Sequence, residues 1–514
     1  MSKIIDLKSA KLRQLEGIRK SVEAMAITIG PRGRNVCLTN GDIVNDGKHI
    51  AEDIILKDFT ENKGATKVKN LVRKISTDVG GGRTACAILY KELCQTGLNL
   101  LDRGFNENLL KKGMLLAVKD ITEQLDKMAK PAKGKLKEIA SISTESKELG
   151  KVIAETIEKI GLDSVVTVEE SQSFGITSEI AEGLKFDKGY ISPYMITNKE
   201  KLEAEYKDIP VLILDKKISF FGEIQPLLDT LVKKGKKELL IIAEDIDESV
   251  LRVFAFSKFN GLFNVLAIKT PGIGDMKKFC VEDLCVLTGT EVITDLSKPV
   301  KLGIAKKVLS KKDSTIIQSF QDIKTWITTL KTRRELTENK WEQDQFNERI
   351  AKLQNGIAVI KVGASSEDEV RYLKLKIEDG VNETKRALEE GIVMGGNVSF
   401  IYASKTLAPL YSWGEDVMNG YKIVLKSVEA PLRQIVKNSN GSPDVVIDKI
   451  RNSKDLMIGY DSLDNIIVDD MYKLGIIDAV KVVKAVLQYA VNEAGIFLSI
   501  GGDISEELIE TNGK

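Results

Sequence analysis

The order of helical and strand patterns along the chain is the feature that most restricts its fold. Residues 7–29 have apolar side chains at helical spacing, and further helical patterns follow over 62–77 and 107–128. Between residues 189 and 272, short β-branched runs alternate with helical ones, which predicts a parallel sheet with covering helices. From residue 391 the pattern is helical again. If both ends build one domain, the α/β middle is an insertion.

The charge balance limits the kinds of partner. The 514 residues include 76 Lys plus Arg and 75 Asp plus Glu, so the formal net charge is +1. A nucleic-acid or acidic-membrane partner would need a basic excess, so neither is expected. No uncharged run reaches the ~18 apolar residues of a membrane span, and residues 1–15 lack the apolar region of a secretory signal. We therefore expect a cytoplasmic protein, in a bacterium rather than an organelle.

The thiols and the single imidazole exclude two kinds of active site. The five cysteines are widely scattered and odd in number, which is typical of reduced thiols: Cys37, Cys86, Cys94, Cys280 and Cys285. Cys280 and Cys285 lack the spacing of a zinc knuckle, and His49 is far from both in sequence. Neither a metal cluster nor a catalytic Cys–His pair is therefore predicted.

Glycine turns that precede or follow helices are the remaining candidates for phosphate binding. The chain has no Walker A motif, dinucleotide fingerprint, nucleophile elbow or zinc-protease motif. The run Gly80-Gly81-Gly82-Arg83-Thr84 precedes a helical pattern, where backbone N–H groups can bind an anion. Each such turn alone is more often a plain loop. A charge-rich helical stretch over 320–353 is interpreted as a solvated face or, alternatively, a partner surface.

Six segments carry further information when they are taken in order. The first is Thr28-Ile29-Gly30-Pro31 and its continuation to residue 36. The others cover residues 182–194, 240–245, 271–275, 356–364 and 430–435. Together they resemble the group I chaperonins, the GroEL-type ATP-dependent folding machines. The resemblance extends from about residue 6 to about residue 500. Outside this family, the alternative is an α/β enzyme that uses residues 271–275 as a phosphate turn.

The resemblance implies a multidomain α and α/β fold. Residues 1–128 and 391–514 would form a helical equatorial domain, 129–182 and 357–390 an intermediate domain, and 183–356 an apical α/β domain. It also implies a homo-oligomeric heptameric ring, probably doubled, that encloses unfolded polypeptides under a GroES-type co-chaperonin. ATP binding would move the apical domains and convert an apolar rim into a polar chamber.

The resemblance also implies the site residues. Asp46 and Asp379 match the catalytic carboxylates, and Asp379 would position the attacking water. The implied nucleotide-binding residues are Thr28, Ile29, Gly30, Pro31, Asn45, Gly80, Gly81, Gly82, Arg83, Thr84, Ala85, Gly396, Asp461, Ser462, Leu463 and Asp478. The implied polypeptide-binding residues are Tyr190, Tyr194, Met195, Gln225, Leu228, Leu251, Ala255 and Phe256.

The departures from the family pattern gather at the nucleotide pocket. Gly81 stands where the family has its metal-ligating aspartate, and Arg83 takes a threonine position. Mg²⁺ prefers carboxylates together with phosphate oxygens, so the loss of this ligand should weaken metal-assisted hydrolysis. In one interpretation Arg83 replaces the metal charge, and the chain binds ATP and splits it slowly. In the other, the chain is an ATPase-impaired paralogue that acts as a holdase or as an accessory ring subunit.

Overall fold

The structure is a computed structural model that describes residues 2–5, 7–161, 165–171, 173–181, 183–199, 201–272, 274–296, 298 and 300–506. Glu182 and Ile273, which belong to two of the segments that carry the resemblance, lie outside the described residues. The helices are α1 Leu7–Ala26, α2 Gly47–Asp53, α3 Phe59–Asp78, α4 Arg83–Leu101, α5 Glu107–Met128, α6 Leu136–Thr144, α7 Lys147–Ile160, α8 Gln225–Lys233, α9 Glu248–Phe259, α10 Asp275–Thr288, α11 Lys324–Leu336, α12 Lys340–Asn355, α13 Glu367–Glu390, α14 Val398–Lys405, α15 Glu415–Ser427, α16 Ala430–Asn438, α17 Pro443–Asn452, α18 Met471–Leu474 and α19 Val480–Leu498. The strands are β1 Ser2–Ile5, β2 Val36–Cys37, β3 Ile43–Val44, β4 Val165–Glu170, β5 Gly175–Ala181, β6 Gly183–Phe186, β7 Ala204–Leu214, β8 Glu238–Ala243, β9 Asn264–Lys269, β10 Val292–Ile293, β11 Gly303–Ser310, β12 Thr315–Gln318, β13 Ile357–Gly363, β14 Ile392–Met394, β15 Gly459–Asp461, β16 Ile466–Val468, β17 Ile477–Ala479 and β18 Asp503–Glu506.

The chain divides into two compact units. Unit 1 contains residues 1–155 and 365–514, and unit 2 contains residues 156–364. Unit 2 is therefore an insertion between two halves of unit 1. The predicted intermediate segments, 129–182 and 357–390, are each divided between the two units, and the three-domain organisation stays a prediction.

Unit 1 is predominantly helical, as the sequence predicts. Helix α1 packs on α3, α4 on α19, and α5 on α15. Two of these crossings depend on glycine, because a methyl group on Gly17 would lie 1.8 Å from the carbonyl oxygen of Glu61, and one on Gly113 would lie 2.0 Å from that of Val417. The loop before α4 lies beside α13 and α19, because a methyl group on Gly80 would contact Asn382 and one on Gly82 would contact Val486. This arrangement forms the candidate site.

Unit 2 has the predicted β-α-β-α-β core. Its main sheet has the order β6-β12-β11-β7-β8-β9, with β10 beside β7. Strands β7, β8 and β9 are parallel, whereas β11 runs antiparallel to β7 and β12. Strands β7 and β8 have nearly continuous buried apolar runs, which is typical of strands covered on both faces. A second sheet has the order β4-β13-β5.

The charge-rich stretch of unit 2 is a pair of helices rather than one. Helix α11 ends at Leu336, and α12 begins at Lys340. Asn339 caps α12, because its side-chain oxygen accepts a hydrogen bond from the N–H of Trp341. Among the helices of the described residues, none combines the length and the apolar character that crossing a membrane would require.

Candidate functional site

Asp46 marks the beginning of the candidate site in unit 1. It is the N-cap of α2, and its Oδ1 accepts hydrogen bonds from the N–H groups of Lys48 at 2.7 Å and His49 at 3.1 Å. Its other oxygen, Oδ2, lies 2.7 Å from Nη2 of Arg83. The carboxylate therefore connects the start of α2 to the start of α4.

Arg83 is the first residue of α4 and bridges two carboxylates. Its Nη1 and Nη2 donate to the two oxygens of Asp379, on α13, at 3.1 and 2.5 Å. This two-pronged geometry is the strong form of an arginine–carboxylate pair. The Arg83 and Asp46 side chains are each 15 % exposed and that of Asp379 is 20 % exposed, so the group is sheltered but still reaches solvent. One guanidinium thus joins α2, α4 and α13.

The glycine loop before α4 is fixed by close packing on both sides. Gly82 has a φ of +74°, and a methyl group there would lie 2.5 Å from Cγ2 of Val486. Gly80 has a φ of +82°, and a methyl group there would lie 2.7 Å from Cβ of Asn382. Both positions therefore require glycine.

Gly81 differs from its neighbours because its backbone can carry a side chain. A methyl group there would lie 3.4 Å from the carboxyl atoms of Glu383, which is ordinary contact. Glu383 comes four residues after Asp379 on α13, so both acids lie on one face of that helix. The sequence analysis missed Glu383, although this spacing from Asp379 was visible. A carboxyl from α13 thus lies beside the position where the family has a carboxyl on the loop.

The electrostatics of the site combine an excess of carboxyls with one guanidinium. Burial, with a smaller contribution from Asp478, raises the pKa of Glu383 to about 7. Burial also raises the pKa of Asp478 to about 6, although the N–H groups of Asn397 and Gly396 donate to it. Burial would raise the pKa of Asp46, but Arg83 and His49 outweigh it and hold that pKa well below its usual range.

The pKa values of the two remaining charged groups, Asp379 and Arg83, are both raised. Burial raises the pKa of Asp379 against the opposing effect of Arg83. The pKa of Arg83 is raised because Asp379 and Asp46 outweigh its burial. Arg83 therefore stays charged, and it is the one guanidinium among four carboxyls.

Most other predicted nucleotide-binding residues lie around this cluster or in segments tied to it. A methyl group on Gly47 would lie 2.6 Å from the hydroxyl oxygen of Thr84 and 3.1 Å from Cε of Met25. The end of α1 therefore meets the starts of α2 and α4. Thr28 donates to the carbonyl of Met25. Strand β17 pairs with β14, which places Asp478 opposite Val393, just before Gly396.

The 461–463 segment and Asn45 have contacts with residues other than those of the Arg83 cluster. Nε of Arg32 donates to the carbonyl oxygen of Leu463 at 2.8 Å, which ties the turn after Pro31 to that segment. Ser462 is buried and Leu463 is 57 % exposed. Nδ2 of Asn45 lies 3.4 Å from Oε2 of Glu145.

The residues at this site do not fit Mg²⁺. Oδ2 of Asp46 and both oxygens of Asp379 already pair with the guanidinium of Arg83, and position 81 has no side chain. In the part of the chain that the structure describes, no group of three or more acidic, histidine or cysteine side chains is arranged to hold a metal ion. Arg83 itself can bind an anion, because its planar fork pairs with phosphate.

A second candidate site is an apolar surface at the end of α9 in unit 2. Tyr194 is 73 %, Phe256 68 %, Phe259 91 % and Leu262 60 % exposed. Nζ of Lys258 donates to the carbonyl oxygen of Ile196, so the turn with Tyr194 lies beside α9. We call these four residues the apolar rim. The sequence analysis missed Phe259 and Leu262, whose signal was an apolar residue at the end of a helix and in the turn after it.

The other predicted polypeptide-binding residues are distributed differently. Gln225 is exposed, and three others are partly buried: Tyr190, Leu251 and Ala255. Met195 and Leu228 are 3 % and 6 % exposed, and both belong to the apolar core of unit 2. These two side chains pack in that core rather than in solvent, and their role in polypeptide binding stays a prediction.

The chain was also compared with models of known protein families. A model of the TCP-1/cpn60 chaperonin family matches residues 22–506. The chain belongs to the TCP-1/cpn60 chaperonin family, and the multidomain α and α/β fold class is confirmed. It therefore has a chaperone role in protein folding. Members of the family are generally ATP-dependent, bind unfolded substrates and form oligomeric rings.

Proposed function

We propose that this chain binds non-native polypeptides on the apolar rim of unit 2 and binds ATP in unit 1, where hydrolysis is slow. The observation that carries the first part is the exposure of Phe256 and Phe259 on one face of α9. Covering such a side chain is worth about 1.5–3 kcal/mol. A contiguous exposed apolar surface on a folded protein is typical of a binding site for another chain.

Suppression of the aggregation of an unfolded client tests the polypeptide-binding proposal. The double variant Phe256→Ser, Phe259→Ser should lose most of this suppression, since it removes the two rings without touching the core. Leu336→Ser, at the end of α11, is the matched control because Leu336 is 79 % exposed in the same unit but lies outside the rim. Equal suppression by the double variant and the wild type would refute the proposal.

Slow hydrolysis is supported by the pairing of Arg83 with Asp379. A carboxylate positions a water molecule by accepting its hydrogen bond, and both oxygens of Asp379 already accept from Arg83. We therefore expect little phosphate release from ATP, and little further loss in Asp379→Ala. Mg²⁺-dependent turnover that Asp379→Ala abolishes would instead show a working ATP-driven refolding cycle.

The alternative is a holdase that works without nucleotide. The ion pairs of Arg83 with Asp46 and Asp379 favour this alternative if ATP cannot displace them. The release of a bound polypeptide distinguishes the ATP-responsive chaperone from the holdase. Addition of ATP should release a bound client from an ATP-responsive chaperone and leave it bound to a nucleotide-independent holdase.

Ring assembly is part of the proposal and is supported by two small sheets in unit 1. In the described part of the chain, β2 pairs only with β3 and β1 only with β18, and Ile43 and Ile504 on them are 68 % and 70 % exposed. Isolated two-stranded sheets are marginally stable, and their free edges can pair with another copy. Light scattering should give seven or fourteen times 56.8 kDa, and addition of a GroES-type co-chaperonin should increase this mass. A monomer would refute the ring.

A further inference from the structure

The position of Arg83 places a permanent positive charge inside the candidate nucleotide pocket. Its guanidinium contacts Asp46 and Asp379 and interacts electrostatically with Glu383. Several carboxyls therefore compete for one cation. Gly82, the N-cap residue before it, provides no side-chain cap for α4. Arg83 is thus held where the glycine loop, α2 and α13 meet.

The carboxylate partners of Arg83 have other partners as well. Asp46 accepts from two backbone N–H groups, and Nδ1 of His49 lies 3.2 Å from its Oδ1. Nη2 of Arg83 is shared between Asp46 and Asp379, whereas Nη1 donates to Asp379 at 3.1 Å. Arg83 can therefore turn N–H groups from Asp46 to a phosphate while Asp379 keeps its hydrogen bond from Nη1 and Asp46 keeps its backbone partners. Such an exchange keeps the charge-assisted hydrogen bonds and changes only the acceptor.

The geometry points to a nucleotide site in which Arg83 takes the place of the divalent cation, so that this chain binds the phosphates of ADP and ATP without Mg²⁺. The inference rests on the proposed function of unit 1 as a nucleotide-binding unit. It adds that nucleotide binding here is independent of metal, because the residues present suit a guanidinium and not Mg²⁺. It also assigns a phosphate-binding role to a residue at a position that the family fills with threonine.

Calorimetric titration of the full chain with ADP, in EDTA and in MgCl₂, tests this inference. The wild type should bind ADP with similar affinity in both buffers. In EDTA, Arg83→Gln should bind ADP about tenfold or more weakly, since it loses charge-assisted bonds to phosphate. Binding of adenosine, which has no phosphate, should be unchanged by the substitution. Arg13→Gln is the matched control because Arg13 is an exposed arginine that pairs with Asp58 instead.

A second variant protects the test against misfolding. Arg83→Lys keeps the charge but not the fork, so it should fold and still bind ADP more weakly than the wild type in EDTA. The double variant Gly81→Asp, Arg83→Thr should bind ADP only when Mg²⁺ is present.

Each other result overturns the inference. Wild-type binding that requires Mg²⁺ would show that Arg83 does not replace the metal, and so would unchanged binding by Arg83→Gln in EDTA. Absence of ADP binding in both buffers would remove the nucleotide proposal as well. Client aggregation assays on the same preparation, without nucleotide, show whether the polypeptide-binding proposal survives.

Discussion

Among the described residues, each unit contains one strongly sheltered arginine paired with acids, and the two arginines differ in what covers them. In unit 2, Nε and Nη2 of Arg349 donate to Asp283 at 3.0 and 2.8 Å, and Nη2 also donates to Glu282 at 3.1 Å. The side chains of Arg349 and Asp283 are each only 5 % exposed. In unit 1, Arg83 is 15 % exposed and faces more carboxyls than it can neutralise.

Aromatic rings make the difference. The guanidinium of Arg349 lies 4.7 Å from the ring centre of Phe279, 5.7 Å from that of Phe346 and 5.9 Å from that of Trp326. The indole N–H of Trp326 also donates to Asp283 at 2.7 Å. In the described residues no ring covers Arg83 in this way. An enclosed arginine holds helices together, whereas an uncovered one with surplus acids can exchange partners.

The largest effect should come from Arg349→Met, which tests whether the covered arginine is a structural element. It leaves Asp283 buried without its cation, so we expect the free energy of unfolding to fall by about 3–5 kcal/mol. Urea denaturation followed by circular dichroism measures this. Arg333→Met is the control, because Arg333 is 45 % exposed and also pairs with Glu282, and it should cost about 0–1 kcal/mol. Equal losses of unfolding free energy in Arg349→Met and Arg333→Met would show that the covered arginine is not a structural element.

Glu383→Gln tests the surplus of carboxyls around Arg83. The folded-state pKa of Glu383 is raised from 4.5 to about 7, so its effect on stability is most favourable below pH 4.5 and is lost as the pH rises through about 7. At pH 8 the variant should therefore be more stable than the wild type by about 2 kcal/mol, and near pH 4.5 the two should be alike. Thermal unfolding across this pH range measures the difference.

Glu389→Gln provides a control of opposite sign on the same helix. Burial would raise the pKa of Glu389, but Lys481 and Arg386 outweigh it and lower that pKa. This variant should be less stable than the wild type at pH 8. If Glu383→Gln is destabilising in the same way, Glu383 is not a surplus charge.

Gly81→Asp adds one more acid to the uncovered cluster. Its carboxyl would lie next to Glu383, so at pH 8 we expect a loss of about 1–2 kcal/mol from like-charge repulsion. Gly81→Ala should be nearly neutral, because the backbone there accepts a side chain. Addition of Glu383→Gln should remove the cost, which a double-mutant cycle measures. If the loss of stability persists in the double variant, it is caused by packing and not by charge repulsion.

The smallest effect should come from Trp326→Phe, which keeps a ring over Arg349 but removes the hydrogen bond to Asp283. We expect a loss of about 1 kcal/mol, since Asp283 keeps its two bonds to Arg349. Circular dichroism should follow the unfolding, with Trp341→Phe as a control at a 48 % exposed position. A loss as large as that of Arg349→Met would show that the indole, rather than the ion pair, holds the helices together.

Local signals in the sequence predict much of the fold. Helix α5 occupies the predicted residues 107–128, because Asn106 caps its start and Pro131 follows its end. The parallel strands β7, β8 and β9 follow from their apolar runs. The break between α11 and α12 was missed, since it depends on a cap at Asn339 inside a continuous helical pattern. The pairing of β13 with β4 and β5 joins distant segments, which periodicity cannot reveal.

The sequence predicted which residues form the candidate site in unit 1, but not which of them contact each other. The resemblance identified Asp46, Asp379 and the glycine loop, and it showed that Arg83 was unusual. It could not show that Arg83 binds Asp379, which is 296 residues away in sequence. The burial of Met195 and Leu228 was likewise hidden, because both belong to patterns that suit both a core and a surface.

The insertion of unit 2 between the halves of unit 1 sets an order for folding on the ribosome. Helix α4 needs α19 and helix α5 needs α15, and both partners are made only after the whole of unit 2. Unit 2 is continuous in sequence, so it can fold as soon as it emerges. The faces of α4 and α5 that pack on α19 and α15 stay uncovered meanwhile. A newly made copy therefore exposes apolar helix faces until residues 480–498 arrive, which is the kind of surface that chaperones bind.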